Sequence, residues 1–254
     1  MSFAFLVNRT SRPRRRSAPV LFVSALCIGL TAAGVSRAKE TAADQHVATA
    51  ERLVEQLDLA NTGYAHGPGS VTWTGTVVSY SDCSCFINDL LAHDDGLAPD
   101  DFRRWMGHGR PSAENYHDAI VATRGFARLD AVMDVRPGDL IATRYLTRHD
   151  NTGHIMLVAK APRRIAPSPP FVGEDTQWSI AVIDSSKSGH GPADTRHKRG
   201  IDGHDHPGLS RGVLRIYADA RGEVAGFSWS TAKNSRFIGP EDEHLVIGRL
   251  VADW

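Results

Sequence analysis

The sequence predicts an α+β domain, on three observations. Apolar residues recur at helical spacing through the first half of the chain. Short, apolar, β-prone runs separated by turns fill the second half, and a tight turn, Ala220-Arg221-Gly222, joins the last two of those runs as a hairpin. A chain of 254 residues with 41% hydrophobic and 23% charged residues has the composition of an ordinary globular protein and can build one substantial core.

Residues 1–38 read separately from that domain. Five arginines between Arg9 and Arg16 precede an apolar run from Ala18 to Val35 that ends in Ser36-Arg37-Ala38, the pattern of a secretory signal peptide cleaved after Ala38. A membrane anchor is the competing reading, because the apolar run is borderline in length for spanning; its small residues and small-x-small ending favour cleavage. Residues 39–254 then form a single domain. Taking away the six arginines of residues 1–38 leaves 23 basic against 29 acidic residues, a formal net charge of −6, which argues against a nucleic-acid partner. Only Cys83 and Cys85 remain in the domain, so no disulfide framework is expected.

In chain order, Ala42 to Leu59 carries Val47, Ala50, Leu53, Val54 and Leu57 on one face, which predicts a helix ahead of Gly63. A turn-rich segment from Tyr64 to Ser70 follows, and Val71 to Tyr80 is β-prone. Cys83 to Ala92 reads as a helix burying Phe86, Leu90 and Leu91. Pro99-Asp100-Asp101 opens a short helix to Met106, since proline and acids both suit a first turn, and Asn115 to Thr123 is a third short helix. At Arg136-Pro137-Gly138-Asp139 the pattern turns to strands: Leu140–Leu146, His154–Lys160, Trp178–Asp184, Val213–Asp219 and Glu223–Ser230. Pro162 to Pro170 is a proline-rich excursion, and Ser185 to Arg211 is expected to be a long polar loop.

Three positions carry the chemistry. Cys83 lies at a predicted helix start, where free backbone N–H groups and the helix dipole stabilise a thiolate, the reactive form of cysteine. His154 opens an apolar strand and is therefore held firmly at a turn–strand junction, as a general base must be. Asp184 ends the next apolar strand, well placed to accept the second ring N–H of His154; His190 is the competing orienter or a substrate contact. His190, His197, His204 and His206, with Asp202 and Asp205, raise a metal-binding alternative, but an H-x-H in a loop is a weak signal for a metal. Asp194 and Arg196 read as a surface pair that orders the loop.

Asp82-Cys83-Ser84 before an apolar helix, Arg136-Pro137-Gly138-Asp139-Leu140-Ile141 before a strand, and Gly153-His154-Ile155-Met156-Leu157-Val158 in the next one together resemble the NlpC/P60 superfamily of papain-like cysteine peptidases, over roughly Tyr64 to Asp184. The stretch from Asp184-Ser185-Ser186 through Gly189-His190-Gly191 to Asp194-Thr195-Arg196 resembles an uncharacterised exported branch of that group. The resemblance implies helices packed on an antiparallel sheet of about five strands. It also implies amide hydrolysis in cell-wall peptides by a Cys83 nucleophile with His154 as base, and no cofactor or metal. Tyr64, Asp82, Ser84 and His190 are the residues it brings to the substrate or the oxyanion. Cys85 stands where the family usually has glycine and is a rival thiol; Asp139 reads as a turn cap and His66 as a surface residue. The expected protein is an exported, periplasmic or extracellular monomer that meets a membrane only through its signal peptide and takes a cell-wall peptide or another amide as substrate. The rival readings are a non-catalytic envelope-binding module on the same fold and a metal-dependent hydrolase.

Overall fold

The computed structural model describes residues 41–67, 69–147, 151–199 and 206–251, with only the backbone of 198 and 199. The predicted signal segment, and Asp202, His204 and Asp205 of the metal alternative, lie outside these residues. No helix among the described residues is long and apolar enough to cross a membrane.

Four helices of eight residues or more precede most of the strands. Helix α1 (Ala42–Gln56) begins in a capping box between Thr41 and Asp44 and buries Ala50, Leu53 and Val54. It stops three residues before the expected Leu59, because Leu57 turns into an extended conformation with its side chain in the core. Helix α2 (Cys83–Asp95) is capped by Asp82 and ends at Gly96 in the left-handed conformation, burying Phe86, Ile87, Leu90 and Leu91. Helix α3 (Pro99–Met106) has the predicted bounds. Helix α4 (Ala113–Val121) starts two residues early, because Ser112 forms a capping box with Asn115. Buried Asn88 of α2 is satisfied by the Pro111 carbonyl and the Tyr116 hydroxyl, which ties α2 to α4.

Two sheets accompany the helices. A small one joins β1 (Thr62–Gly63), β2 (Ser70–Thr72) and β3 (Val78–Tyr80) in the order β1-β3-β2, so the β-prone run 71–80 is two short paired strands. The main sheet has seven strands, not five. They are β4 (Phe126–Leu129), β5 (Leu140–Tyr145), β6 (Gly153–Arg164), β7 (Thr176–Ser186), β8 (Gly208–Ala218), β9 (Val224–Ser228) and β10 (Glu243–Leu250). Their order is β4-β10-β5-β6-β7-β8-β9, antiparallel throughout. The two strands not expected from the sequence are the four-residue β4 and β10, which returns from late in the chain to lie between β4 and β5. The expected polar loop 185–211 is also corrected. Ser185 and Ser186 finish β7, Thr195–Arg199 is a short helix α5, and β8 already begins at Gly208.

The central strands are apolar on both faces. Leu140, Ala142, Ile155 and Leu157 meet the helices, whereas Ile141, Met156, Val158, Val182, Leu214 and Ile216 form a second core with Val132, Phe227 and Ile238. The alternation follows from the two-residue period of a strand. It makes β5 and β6 rigid supports, and β6 is the strand that carries His154.

Candidate active site

The N-terminus of α2 reaches the end of the sheet at which β6 begins and β7 ends. Asp82 fixes that helix start: its carboxylate accepts the Cys85 N–H at 2.8 Å and the Ser84 hydroxyl at 3.0 Å, and lies 3.3 Å from His66 Nδ1. Ser185 of β7 donates its hydroxyl to the Ser81 carbonyl, which joins the approach to α2 directly to the strand bearing Asp184. Cys83 is thereby held in the first helical turn, buried, with a free thiol.

His154 arrives from the opposite side. Gly153, before it, passes so close to β5 that a β-carbon there would overlap the Thr143 carbonyl. The residue before His154 is therefore restricted to glycine, and β6 is pinned against β5 where the imidazole projects. The ring interacts electrostatically with Cys83, and its Nε2 lies 2.7 Å from Asp184 Oδ2. With Nε2 engaged by the carboxylate, Nδ1 is left for the sulfur. Burial disfavours the charged ring, but negative charge on Cys83 and the Asp184 carboxylate outweigh it, and the pKa of His154 is raised from 6.5 to about 10.

A group shifted in that direction adds stability in full below its ordinary titration range and loses it as pH rises through the folded value. The excess stability of the wild type over His154→Gln is therefore expected to shrink between pH 6.5 and about 10, a window readable from urea midpoints measured as a function of pH.

Behind Asp184, where the sequence predicts a surface loop, lies a buried polar network. Asp184, His190, Asp194 and Arg196 are all at most 2% exposed. Arg196 Nη2 donates to Asp184 Oδ1 at 2.7 Å and to Asp194 Oδ2 at 3.0 Å, and its Nη1 donates to the Gly208 carbonyl at 2.9 Å. Asp194 also accepts the His190 backbone N–H at 2.8 Å and the Ser210 hydroxyl at 2.8 Å. His190 Nε2 lies 3.1 Å from Asp184 Oδ1 and its Nδ1 lies 2.8 Å from the Trp229 carbonyl. Burial by itself would raise the Asp184 carboxyl, but Arg196 first and then His190 and His154 hold it well below the usual carboxylate range. Asp184 is thus the carboxylate on His154, and His190 touches Asp184, not the cleft. Trp229 closes this region, stacked on His190 at 4.2 Å and edge-on to His154 at 5.1 Å between ring centroids.

Cys85 faces away from this chemistry. Its thiol donates to the Gly67 carbonyl at 3.0 Å and accepts from Arg110 Nη2 at 3.3 Å, and burial pushes it toward the protonated form. Cys85, where the family usually has glycine, is accommodated by packing against Gly67 and Gly69, with Gly69 against its Cβ.

The cleft over the Cys83–His154 pair has two lobes. One, of about 230 Å³, is lined by Tyr64, His66, Asp82, Cys83 and Ser84 with Ser112 and Asn151–Gly153 across from them. The other, of about 420 Å³, runs from His154 past Tyr145, Lys187, Trp229 and Arg236. Tyr64 lines both. Burial, then charge on Cys83 and Asp82, keeps its phenol protonated far into the alkaline range, so it remains a hydrogen-bond donor. Of the residues expected at the site, Cys83, His154, Asp184 and Tyr64 converge on the cleft or its support. Asp82 and Ser84 build the helix start at its rim, and His190 lies beneath. His66 is exposed, as expected. Asp139 is buried, where it accepts the Arg136 N–H at 2.7 Å and pairs with Arg249 at 2.8 Å. Trp229, Lys187 and Arg236 line the site without any signal of it in the sequence, and Arg196, expected in a surface pair, is buried; Gly212, where a β-carbon would overlap the His190 ring, is the residue that marks close packing there.

No family model and no solved structure matches the chain. Among curated proteins it is similar to an uncharacterised protein of Acanthamoeba polyphaga mimivirus, with 33% identity over 216 residues, which covers 79% of this chain and 94% of the viral protein. The chain belongs to the same family as that mimivirus protein.

Proposed function

We propose that the protein is an exported cysteine hydrolase of papain-like, NlpC/P60 type that cleaves amide bonds, with peptidoglycan stem peptides as its substrate class and a monomer as its working form. The observation that carries the reading is the buried imidazole of His154, bonded through Nε2 to the Asp184 carboxylate and interacting electrostatically with Cys83 at the start of α2. A nucleophile, a base and an orienter in that order are what acyl transfer through a covalent intermediate requires.

In the proposed reaction the Cys83 thiolate attacks the amide carbonyl. The oxyanion that forms faces the first turn of α2, where the Cys83 and Ser84 N–H groups have no intrahelical acceptor and the Cys85 N–H is taken by Asp82, and the Tyr64 hydroxyl across the cleft. Protonated His154 passes its proton from Nδ1 to the leaving amine as the C–N bond breaks, giving a thioester. Neutral His154 then takes a proton from a water molecule that attacks the thioester, and Cys83 leaves as the thiolate. Asp184 keeps the ring oriented and stabilises its charged form.

The direct test is incubation of residues 39–254 with purified cell-wall digests, followed by mass spectrometry. New amine and carboxyl termini should appear in the stem peptides, in amounts that grow with time. Unchanged digests, beside cleavage of other amide substrates, would remove peptidoglycan from the proposal and leave the chemistry.

A further inference from the structure

The two lobes of the cleft are chemically unlike, and the reaction assigns them different halves of the substrate. A leaving amine must take its proton from His154, so the part of the substrate that departs with the amine occupies the lobe on the histidine side. That lobe is the larger one. It carries two cationic side chains, Lys187 and Arg236, and the hydroxyls of Ser186, Ser188, Ser235 and Tyr145.

Lys187 is the better placed of the cations. It follows β7 directly, three residues after Asp184, so its backbone is fixed by the strand that supports the catalytic histidine. Its ammonium lies 5.5 Å from the centroid of the Tyr64 ring, at the junction of the lobes. Among the described residues no carboxylate pairs with it. Arg236 is held loosely by Asp242 at 3.4 Å, an exposed pair that a ligand can displace at little cost. The acidic side chain in the lobe is Glu243, which is buried in its wall. In a domain whose formal net charge over residues 39–254 is −6, two cations and four hydroxyls gathered in one recess form a local exception.

We infer that the histidine-side lobe is a carboxylate subsite: the residue that leaves with the amine bears a carboxylate, which Lys187 and Arg236 bind while the serine hydroxyls donate to its remaining lone pairs. The inference rests on the proposed Cys83–His154 chemistry, which decides which lobe receives the amine side. The carboxylate has two possible sources, a free C-terminus or an acidic side chain.

The experiment compares alkylation of Cys83 by three bromoacetyl probes of similar length: bromoacetyl-glycine, with a terminal carboxylate; bromoacetyl-aspartate α-amide, with a side-chain carboxylate; and neutral bromoacetyl-glycinamide. Rates are read by peptide mass mapping in the wild type and in Lys187→Met/Arg236→Met, whose folding is checked by circular dichroism. A carboxylate probe should react faster than the amide probe in the wild type. That preference should fall about three- to fivefold in the double variant, the range expected for partly exposed charge pairs, and should weaken with added salt. The imidazolium favours anionic probes equally in both proteins, so the change in the ratio isolates the subsite. Which carboxylate probe shows the larger change identifies the source. An unchanged ratio in the double variant overturns the subsite while leaving the nucleophile intact. Failure of every probe to modify Cys83 in the wild type overturns the catalytic reading, and the subsite with it.

Discussion

Arg196→Met is expected to lower the free energy of unfolding by about 3–5 kcal/mol, the usual result of stripping one partner from a buried ion pair. Arg196 is fully buried between two carboxylates that are also fully buried, Asp184 and Asp194. Removing the guanidinium leaves both carboxylates buried without the cation that they share, although their other donors remain. For a domain with the common stability of about 5–15 kcal/mol, that loss is large but survivable. Urea denaturation followed by circular dichroism measures it. The pH dependence gives a second readout. Asp184 is held below its ordinary range, so it contributes stability above that range and loses it as pH falls through its folded value. Without Arg196 that folded value moves upward, and the loss on acidification should begin at higher pH than in the wild type. A variant within about 0.5 kcal/mol of the wild type, the size of an ordinary surface substitution, would mean that the pair contributes no more than exposed charges do.

Cys83→Ala is expected to remove turnover, by up to about 10⁶-fold in kcat if the site behaves like other nucleophile–base pairs. The alanine should fit, because the thiol is small and the helix start is fixed by Asp82, not by the sulfur. Removing the sulfur also takes away the negative charge beside buried His154, so some loss of stability near neutral pH is expected, and circular dichroism of the folded variant separates chemistry from unfolding. Cys85→Ala differs in activity. The Cys85 thiol is bonded to Gly67 and Arg110 outside the cleft, so its loss should cost some stability and little activity. Equal losses of turnover in the two variants would contradict the assignment of the nucleophile.

Much of this site was legible because its parts sit at element boundaries, where sequence signals are strong. Asp82 announces a helix start, Gly153-His154 a turn entering an apolar strand, and Val182-Ile183-Asp184 an apolar strand's polar end. The helices were legible for the same reason, Pro99 and Ser112 being local caps. What depends on distant pairing was not. β10 has an apolar run, Leu245-Val246-Ile247, but its place between β4 and β5 comes from partners more than 90 residues earlier in the chain, and β4 is too short to declare itself. The Asp194–Arg196 pair looked like loop charge because i,i+2 charges in a polar segment are normally solvated. Its burial follows from Asp184, whose carboxylate supplies the third charge of the group. Lys187 and Arg236 each look like ordinary surface residues until the fold places them around one recess.

The central claim is that His154 activates Cys83, and selective alkylation tests it most directly. Wild type, His154→Ala and Cys85→Ala are treated with a small amount of iodoacetamide at neutral pH, and the labelled cysteine is identified by peptide mass mapping. The wild type and Cys85→Ala should be labelled rapidly at Cys83, and His154→Ala should react more slowly by about 10²-fold or more, as expected when a thiolate loses its cationic partner. Label accumulating at Cys85, or a Cys83 rate that does not depend on His154, would contradict it.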